Sequence, residues 1–498
     1  MFDYAMLSQG FFSLFDIHLL WLMPLGLLYG MVVSAIPGMS GSLAIALVMP
    51  FTFHMTALQA IIFLSSIFTG SVHGGSIPAI LLNMPGSPAS AATVFDGFKL
   101  AREGKHNEAQ GLAIGASTMG SLLGCILVLC LLHPIAQFAL MFGPVEMLMV
   151  GVFALTIIAS FKGESIAKGI MAGLFGLLIG TVGVSWGREY RATFGSMWLI
   201  DGLPIIPVLL GVLALPGLYA LTTEKFVVSN ELLRRPDIRK IAQGFIESTR
   251  YRIVLLRSTL IGVVIGALPA TGASVASLLA WNDAKQSIKG NKLGDGDPRG
   301  VVASEAANNS SEMGSTAVML ALGIPGGGAT AIMLGAFLVH GLTPGPRLLA
   351  DNLHFGYAIF LAEFVQMAMM PFFAVLVLAF ANYIVKVPNQ VLVPAVLAVT
   401  CWGVFATRET FFDIGILIGF GIFGFILQKY GYPVLAMLLG FILAEILEPE
   451  MIRATATFGY KDLPLEIITR PISLAFVVLT VLSLIYLMRN RDALPDEN

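Results

Sequence analysis

Hydrophobic positions along this chain gather in long runs, with polar segments between them. They do not follow the one-sided spacing of a soluble helix or the alternation of a half-buried strand. Leu19 to Ile36 is the first run, closed by Pro37-Gly38. G-M-S-G-S-L-A-I-A-L-V-M-P follows, bounded by Pro37 and Pro50. At about 1.5 Å per helical residue it is too short to cross roughly 30 Å of hydrocarbon, which predicts a half-span or re-entrant segment. Ala57 to Thr69 is apolar again. Simpler spans are predicted at Leu112–Leu132, Pro144–Ser160, Ile166–Val184, Ile205–Leu221, Phe355–Phe380, Val391–Phe405, Phe412–Leu427, Val434–Leu447 and Ile472–Met488. The fold class expected is an all-α polytopic membrane protein with roughly ten to twelve transmembrane helices.

One stretch departs from this pattern in an informative way. Gly70 to Gly97 is apolar enough for a bilayer, yet it contains Gly74, Gly75, Pro78, Pro85, Gly86 and Pro88. Proline removes a backbone donor and glycine adds backbone freedom, so one uninterrupted helix is excluded. Non-helical backbone at bilayer depth persists only where protein buries it or where it lines a cavity. The second half holds a counterpart. Pro37 aligns with Pro269, 232 positions on, and places Gly30 over Gly262 and Ser42 over Ser274. Pro85-Gly86 aligns with Pro325-Gly326, 240 positions on, and places Gly74 over Gly314. The eight-residue difference fits the polar loop Asn282–Gly300, where insertion is cheap. Two repeated, inverted halves with broken helices are therefore expected: an N-terminal half, 1–222, a basic linker, 223–252, and a C-terminal half, 253–498.

Composition supports the bilayer as solvent. Of 498 residues, 57% are hydrophobic and 12% charged, where globular chains average about 25% charged; mean hydropathy is +0.86. The formal net charge is -2, with no basic patch interleaved with aromatics, so nucleic acid is not an expected partner. Cys125, Cys130 and Cys401 lie in apolar runs and read as core residues. M-F-D-Y-A-M-L-S-Q-G lacks the basic start of a signal peptide, so the first run is expected to be a retained span. The most charged segment, Glu224 to Arg257, is placed on the cytoplasmic side, and Arg489/Arg491 place the C-terminus there too. Asp96–Ala109 reads as an interfacial or extramembrane helix. Small-residue spacings such as Gly111/Gly115, Gly120/Gly124, Gly169/Gly173 and Gly176/Gly180 read as helix packing.

Paired broken segments in two halves point to a secondary transporter's binding site. The N-terminus of a half-helix presents free N–H groups and a positive dipole end, which suit a carboxylate. Unwound carbonyls and Ser, Thr and Asn oxygens suit Na⁺. The candidate substrate-binding residues are Ser40, Gly41, Ser42, Gly74, Gly75, Ser76, Asn83, Pro85, Gly86, Ser87, Thr271, Gly272, Ser274, Asn308, Asn309, Pro325, Gly326 and Thr330, with a candidate Na⁺ position near Asn83, Asn309 and Ser310. Glu363, Glu146 and Glu445 lie in or near apolar runs, and intramembrane carboxylates default to functional hypotheses. They supply the competing reading, a stand-alone cation or proton antiporter. Asp96 and Glu305 suit capping or loop anchoring as well as transport chemistry, and His73 suits a structural hydrogen bond ahead of a role in pH dependence. An enzyme is not expected, since H-E-x-x-H is absent. No cofactor is expected beyond Na⁺ as a coupling ion.

These same residues carry a family likeness. A-I-P-G-M-S-G-S-L-A-I-A-L-V-M-P-F-T-F and G-G-S-I-P-A-I-L-L-N-M-P-G-S-P-A-S-A-A-T-V-F-D-G-F-K-L-A in the first half form one block. G-A-L-P-A-T-G-A-S-V-A-S, E-A-A-N-N and L-G-I-P-G-G-G-A-T-A-I-M-L-G-A-F-L-V-H-G-L-T-P-G-P form the second. With them the chain resembles, over nearly its whole length, the large membrane subunit of the tripartite tricarboxylate transporter family. It departs from the family pattern at His73, Ala270 and Ser304, where Tyr, Gly and Pro are usual. The resemblance implies a multi-pass permease of a bacterial inner membrane, working with a small membrane subunit and a periplasmic substrate-binding protein. It also implies import of a tricarboxylate or other carboxylate by symport with Na⁺ or H⁺ and alternating access.

Overall fold

The computed structural model describes residues 3–36, 39–158, 166–185, 187, 189–223, 236–268, 272–288, 290, 292–384 and 389–489. Among them the regular structure is helical, apart from the short antiparallel pair Gly183–Val184 and Tyr190–Arg191. Among the described residues, five helical stretches are long and apolar enough to cross a membrane: Ile17–Ser34, Ala57–Leu82, Pro88–Phe138, Leu353–Phe380 and Phe411–Lys429. Leu447–Thr469 and Pro471–Ile485, bent by 81° at their junction, make a sixth if taken as one span. Gly41–His54, Pro144–Thr156, Ala167–Gly180, Gly328–Val339 and Val434–Glu445 are apolar but shorter. Trp21, Phe372, Trp402 and Phe411 are exposed on the outside, as lipid-facing side chains are. The chain is an all-α polytopic membrane protein.

At the centre lies a helix that hydropathy alone does not mark as a span. Pro298–Leu322 begins at an Asp297 cap and ends at Gly323 in a left-handed turn. It carries Ser304, Glu305, Asn308, Asn309, Ser310, Ser311, Glu312, Ser315 and Thr316, all buried. So many polar groups cannot face lipid. Helices Ala57–Gly74, Ala91–Leu100, His106–Ala139, Arg252–Gly266 and Gly272–Ser287 pack around it. Asn282–Gly300, expected as a loop, starts as helix, because Gly272–Ser287 continues through Asn282 and Asp283 before the chain turns.

Lipid tails are as apolar as leucine, so helices here associate through close packing rather than through a hydrophobic drive. The small-residue spacings do this. A Cβ on Gly120 would lie 2.7 Å from Ala306 O, and Gly176 and Gly440 sit where Ile166–Gly180 meets Val434–Thr469. Gly111, Gly115 and Gly244 bring the long helix His106–Ala139 against Ile238–Ser248. That second helix belongs to the basic linker and is tied down further by Asp237 N–H to Asn107 Oδ1, 3.1 Å. The linker's residues 224–235 lie outside the described residues.

Several close backbone contacts occur twice. Gly74 abuts Met31 O, and Gly314 abuts Val263 O. Gly30 meets Ile67 O, and Gly262 meets Ala307 O. Gly86 sits against Ser34 O, and Gly326 against Gly266 O. Asn83 (φ 60, ψ 23) closes helix Ser76–Leu82 in the left-handed region, as Gly323 (φ 70, ψ 18) closes Pro298–Leu322.

The two halves are also joined by one carboxylate. Asp96 is fully buried. Its Oδ1 accepts the backbone N–H groups of Gly294 (2.8 Å), Gly296 (3.0 Å) and Asp297 (2.9 Å), and its Oδ2 accepts Trp281 Nε1 (2.7 Å). Gly300 lets this carboxylate approach, since a Cβ there would collide with it. Hydrogen bonds to a charged group contribute roughly 1.5–3 kcal/mol each. Asp96→Ala should therefore destabilise the protein by about 2 kcal/mol or more. The expected readout is a lower Tm in detergent and faster proteolysis between Lys292 and Asp297, with Asp96→Asn intermediate; an unchanged Tm would mean that the turn holds without this anchor.

Candidate functional site

The broken segments bring three helix N-termini together. Ser40 caps Gly41–Val48, its Oγ accepting Leu43 N–H at 3.3 Å. Gly327 precedes Gly328–Val339; its N–H donates to Thr330 Oγ1 and its carbonyl accepts from the same hydroxyl, both at 3.0 Å. Gly272, in the left-handed region at φ +59, opens Gly272–Ser287. The proximity of these ends is direct. A Cβ on Gly328 would sit 2.7 Å from Ser42 Oγ, and one on Gly327 would sit 3.9 Å from Gly272 Cα. The N–H groups in the first turn of a helix have no partner within that helix. Ser42 and Gly328, from opposite halves, thus lie in close contact where these N-termini, a cradle of donors, meet.

The break in the first half lies beside this cradle. Gly86 N–H donates to Gly75 O at 3.1 Å, and a Cβ on Gly75 would meet the hydroxyls of Ser87 and Ser90. Ser277, on Gly272–Ser287, donates to Ala89 O at 2.7 Å and ties that helix to the break. Gly74 packs on Met31, and the Ser76 hydroxyl donates to His73 O at 2.7 Å, so both serve the bend itself. Asn83 and Pro85 are exposed, Ser274 is half-buried, and Pro325 and Gly326 are buried in the second break. Thr271 lies outside the described residues.

Asn308 and Asn309 sit elsewhere, in a buried polar ladder on Pro298–Leu322. Asn309 Nδ2 donates to Ser117 Oγ at 2.8 Å, and Asn308 Nδ2 to Val72 O at 3.3 Å. Ser117 in turn donates to Glu305 Oε2 at 3.0 Å, and Thr93 donates to Glu305 Oε1. His73 Nδ1 is 3.1 Å from Ser117 Oγ. The Ser117 proton is committed to Glu305, which assigns the ring N–H to Nδ1 and leaves the buried Nε2 as a bare acceptor. The Oδ1 atoms of Asn308 and Asn309 are also without partners. Ser310 donates to Thr259 O at 3.2 Å. The candidate Na⁺ residues therefore occupy different surroundings: Asn83 is exposed, while Asn309 and Ser310 are buried and turned to Ser117 and Thr259.

Two turns along the same helix, Thr69 donates to Glu312 Oε1 at 2.7 Å and lies 3.3 Å from Gln366 Oε1. Glu363 faces Glu312 and Thr316 from Leu353–Ile384. Of the other acids, Glu146 is held structurally by Arg470 (3.2 Å) and Gly143 N–H (2.9 Å), and Glu445 is exposed. Sequence reasoning missed Thr69, Ser117, Glu312, Thr316 and Gln366. Each looks like an ordinary polar residue until helices far apart in the chain are packed together.

Comparisons with known proteins agree with this architecture. A protein from Agrobacterium vitis, described as "Uncharacterized 52.8 kDa protein in TAR-I ttuC' 3'region", is 30% identical over 459 residues, covering 90% of this chain and 89% of the relative. A second from the same organism, "Uncharacterized protein in TAR-II ttuC' 3'region", is 28% identical over 194 residues, 39% of this chain and 80% of the relative. No solved structure matches. The sequence profile of one family covers residues 20–439, which include both broken segments and the polar ladder between them. The chain belongs to the tripartite tricarboxylate transporter TctA family, and is a membrane transport protein rather than an enzyme.

Proposed function

We propose that this chain is the large permease subunit of a binding-protein-dependent importer that moves a tricarboxylate or other carboxylate across a bacterial inner membrane. It draws on a Na⁺ or H⁺ gradient and works by alternating access. Its partners are a small membrane subunit and a periplasmic substrate-binding protein. The observation that carries this reading is the cradle at Ser40–Ser42, Gly272 and Gly327–Gly328, where three helix N-termini and the Ser42 hydroxyl converge. Helix N-termini favour anions through their free N–H groups and dipole. Such a cradle holds a carboxylate without a lysine or arginine at membrane depth, where those side chains are costly.

The doubled contacts support an internal duplication. Members of the first helix in each pair stand 232 positions apart and members of the second 240, the offsets that the prolines predict. Two halves built alike around one site suit alternating access, in which one bundle rocks against the other. The antiporter reading is weakened at Glu146, which is engaged by Arg470.

Three outcomes test this. Reconstituted with its partners, the protein takes up a carboxylate only while a Na⁺ or H⁺ gradient stands; uptake indifferent to collapse of both gradients would refute coupling. Gly328→Leu, whose side chain would push Ser42 aside, abolishes uptake, and Ser42→Ala weakens it by about tenfold, the loss of one hydrogen bond to a charged group. Normal uptake by both would move the substrate away from the cradle. Asn309→Ala and Asn83→Ala impair uptake without blocking membrane insertion; wild-type transport by both would remove these residues from the transport path.

A further inference from the structure

Around Glu312 and Glu363 the hydrogen-bond count does not close. Glu312 is 1% exposed and Glu363 is 0% exposed. Glu312 Oε2 and both carboxyl oxygens of Glu363 are buried without a hydrogen bond of good geometry, and the Thr316 hydroxyl, which faces Glu363, can supply at most one. Donors are scarce: Thr69 has one proton to give, and it lies between Glu312 Oε1 and Gln366 Oε1. The Gln366 amide N–H groups point away, to Ile62 O (3.4 Å) and Ser65 Oγ (3.3 Å). What remains is a pocket of oxygens.

Among the described residues, no basic group answers the two carboxyls. Glu363's charged neighbour is Glu312 itself. Of the packed elements, His106–Ala139 presents Cys125, whose Sγ–H goes to Phe360 O at 3.1 Å. Ala57–Gly74 carries His73, engaged with Ser117, and Arg252–Gly266 carries Arg257, engaged with Asp283 at 2.6 Å. Arg347 is exposed. Two like charges in a dry interior cost far more than in water, so the pair needs an added positive charge. Carboxylate, hydroxyl and amide oxygens form the ligand set of a hard cation, and two carboxyls with spare lone pairs equally accept a proton.

We propose that Glu312 and Glu363, with Thr69, Thr316 and Gln366, hold the coupling cation, a Na⁺ or a proton, away from the substrate cradle. The word "coupling" rests on the transport reading above; the cation site itself does not. The location suits the task. Glu312 stands on the helix that runs into the Gly323–Gly327 break, and Thr69 on the helix that leads to Ser76–Leu82. Filling the pocket draws these helices and Leu353–Ile384 together; emptying it sets two carboxylates against each other.

The test uses the full-length protein in detergent and in proteoliposomes. Radioactive Na⁺ binds the wild type saturably and is lost in Glu312→Gln and Glu363→Gln, while Glu146→Gln retains it. If the cation is a proton, the wild type instead shows the infrared C=O stretch of a buried carboxylic acid, and both Gln variants lose it. Neither readout depends on transport, so a failed uptake assay refutes the importer reading and leaves the site standing. For coupling, both Gln variants exchange substrate in counterflow but no longer accumulate it on a gradient. Thr316→Val and Thr69→Val, which are milder, weaken the same signals if the Gln variants do not fold. Wild-type binding and accumulation in both Gln variants, or no Na⁺ binding and no carboxylic-acid band in the wild type, overturns the proposal.

Discussion

The structure depends on hiding one polar helix from lipid. Pro298–Leu322 carries carboxyls, amides and hydroxyls over much of its circumference, and hydrocarbon satisfies none of them. Five helices therefore enclose it, and their own polar side chains point inward: Thr69 and His73 from one, Thr93 from another, Ser117 from a third. The enclosing helices can then present apolar faces outward. A soluble protein buries its apolar residues and exposes its polar ones; here the bilayer makes the polar interior the feature that dictates which helix goes where.

Close approach is the second requirement. Polar side chains as short as serine and threonine bridge helices only when the backbones nearly touch, and the glycines allow this. Gly262 lies against Ser310, and Gly120 against Ala306, next to the Glu305–Ser117 contact. The glycine contacts and the hydrogen-bonded ladder thus depend on one another.

Much of this was legible in the chain. Pro85, Pro325 and the glycines around them marked the breaks, because proline and glycine act on the backbone wherever they stand. The apolar runs marked helices such as Phe411–Lys429 almost to the residue. The central helix was harder, since its polar run lowers its hydropathy below that of its neighbours. The division of the candidate oxygens between cradle and ladder was not legible at all. Asn309 meets Ser117, 192 positions away, and Thr69 meets Glu312, 243 away; no local pattern encodes such pairings. Asn83 shows a further limit: its side chain was read for its oxygen, and nothing local announced that its backbone also closes a helix in a conformation that asparagine tolerates.

The grip of Asp96 has a mechanical consequence. It clamps the turn before the central helix to a helix that follows the first break, and its four bonds act at one place. Parting the halves there would strip a buried carboxylate of all its donors at once. Separating these two segments is therefore costly at this end of the central helix, where one side chain answers for a whole turn of backbone.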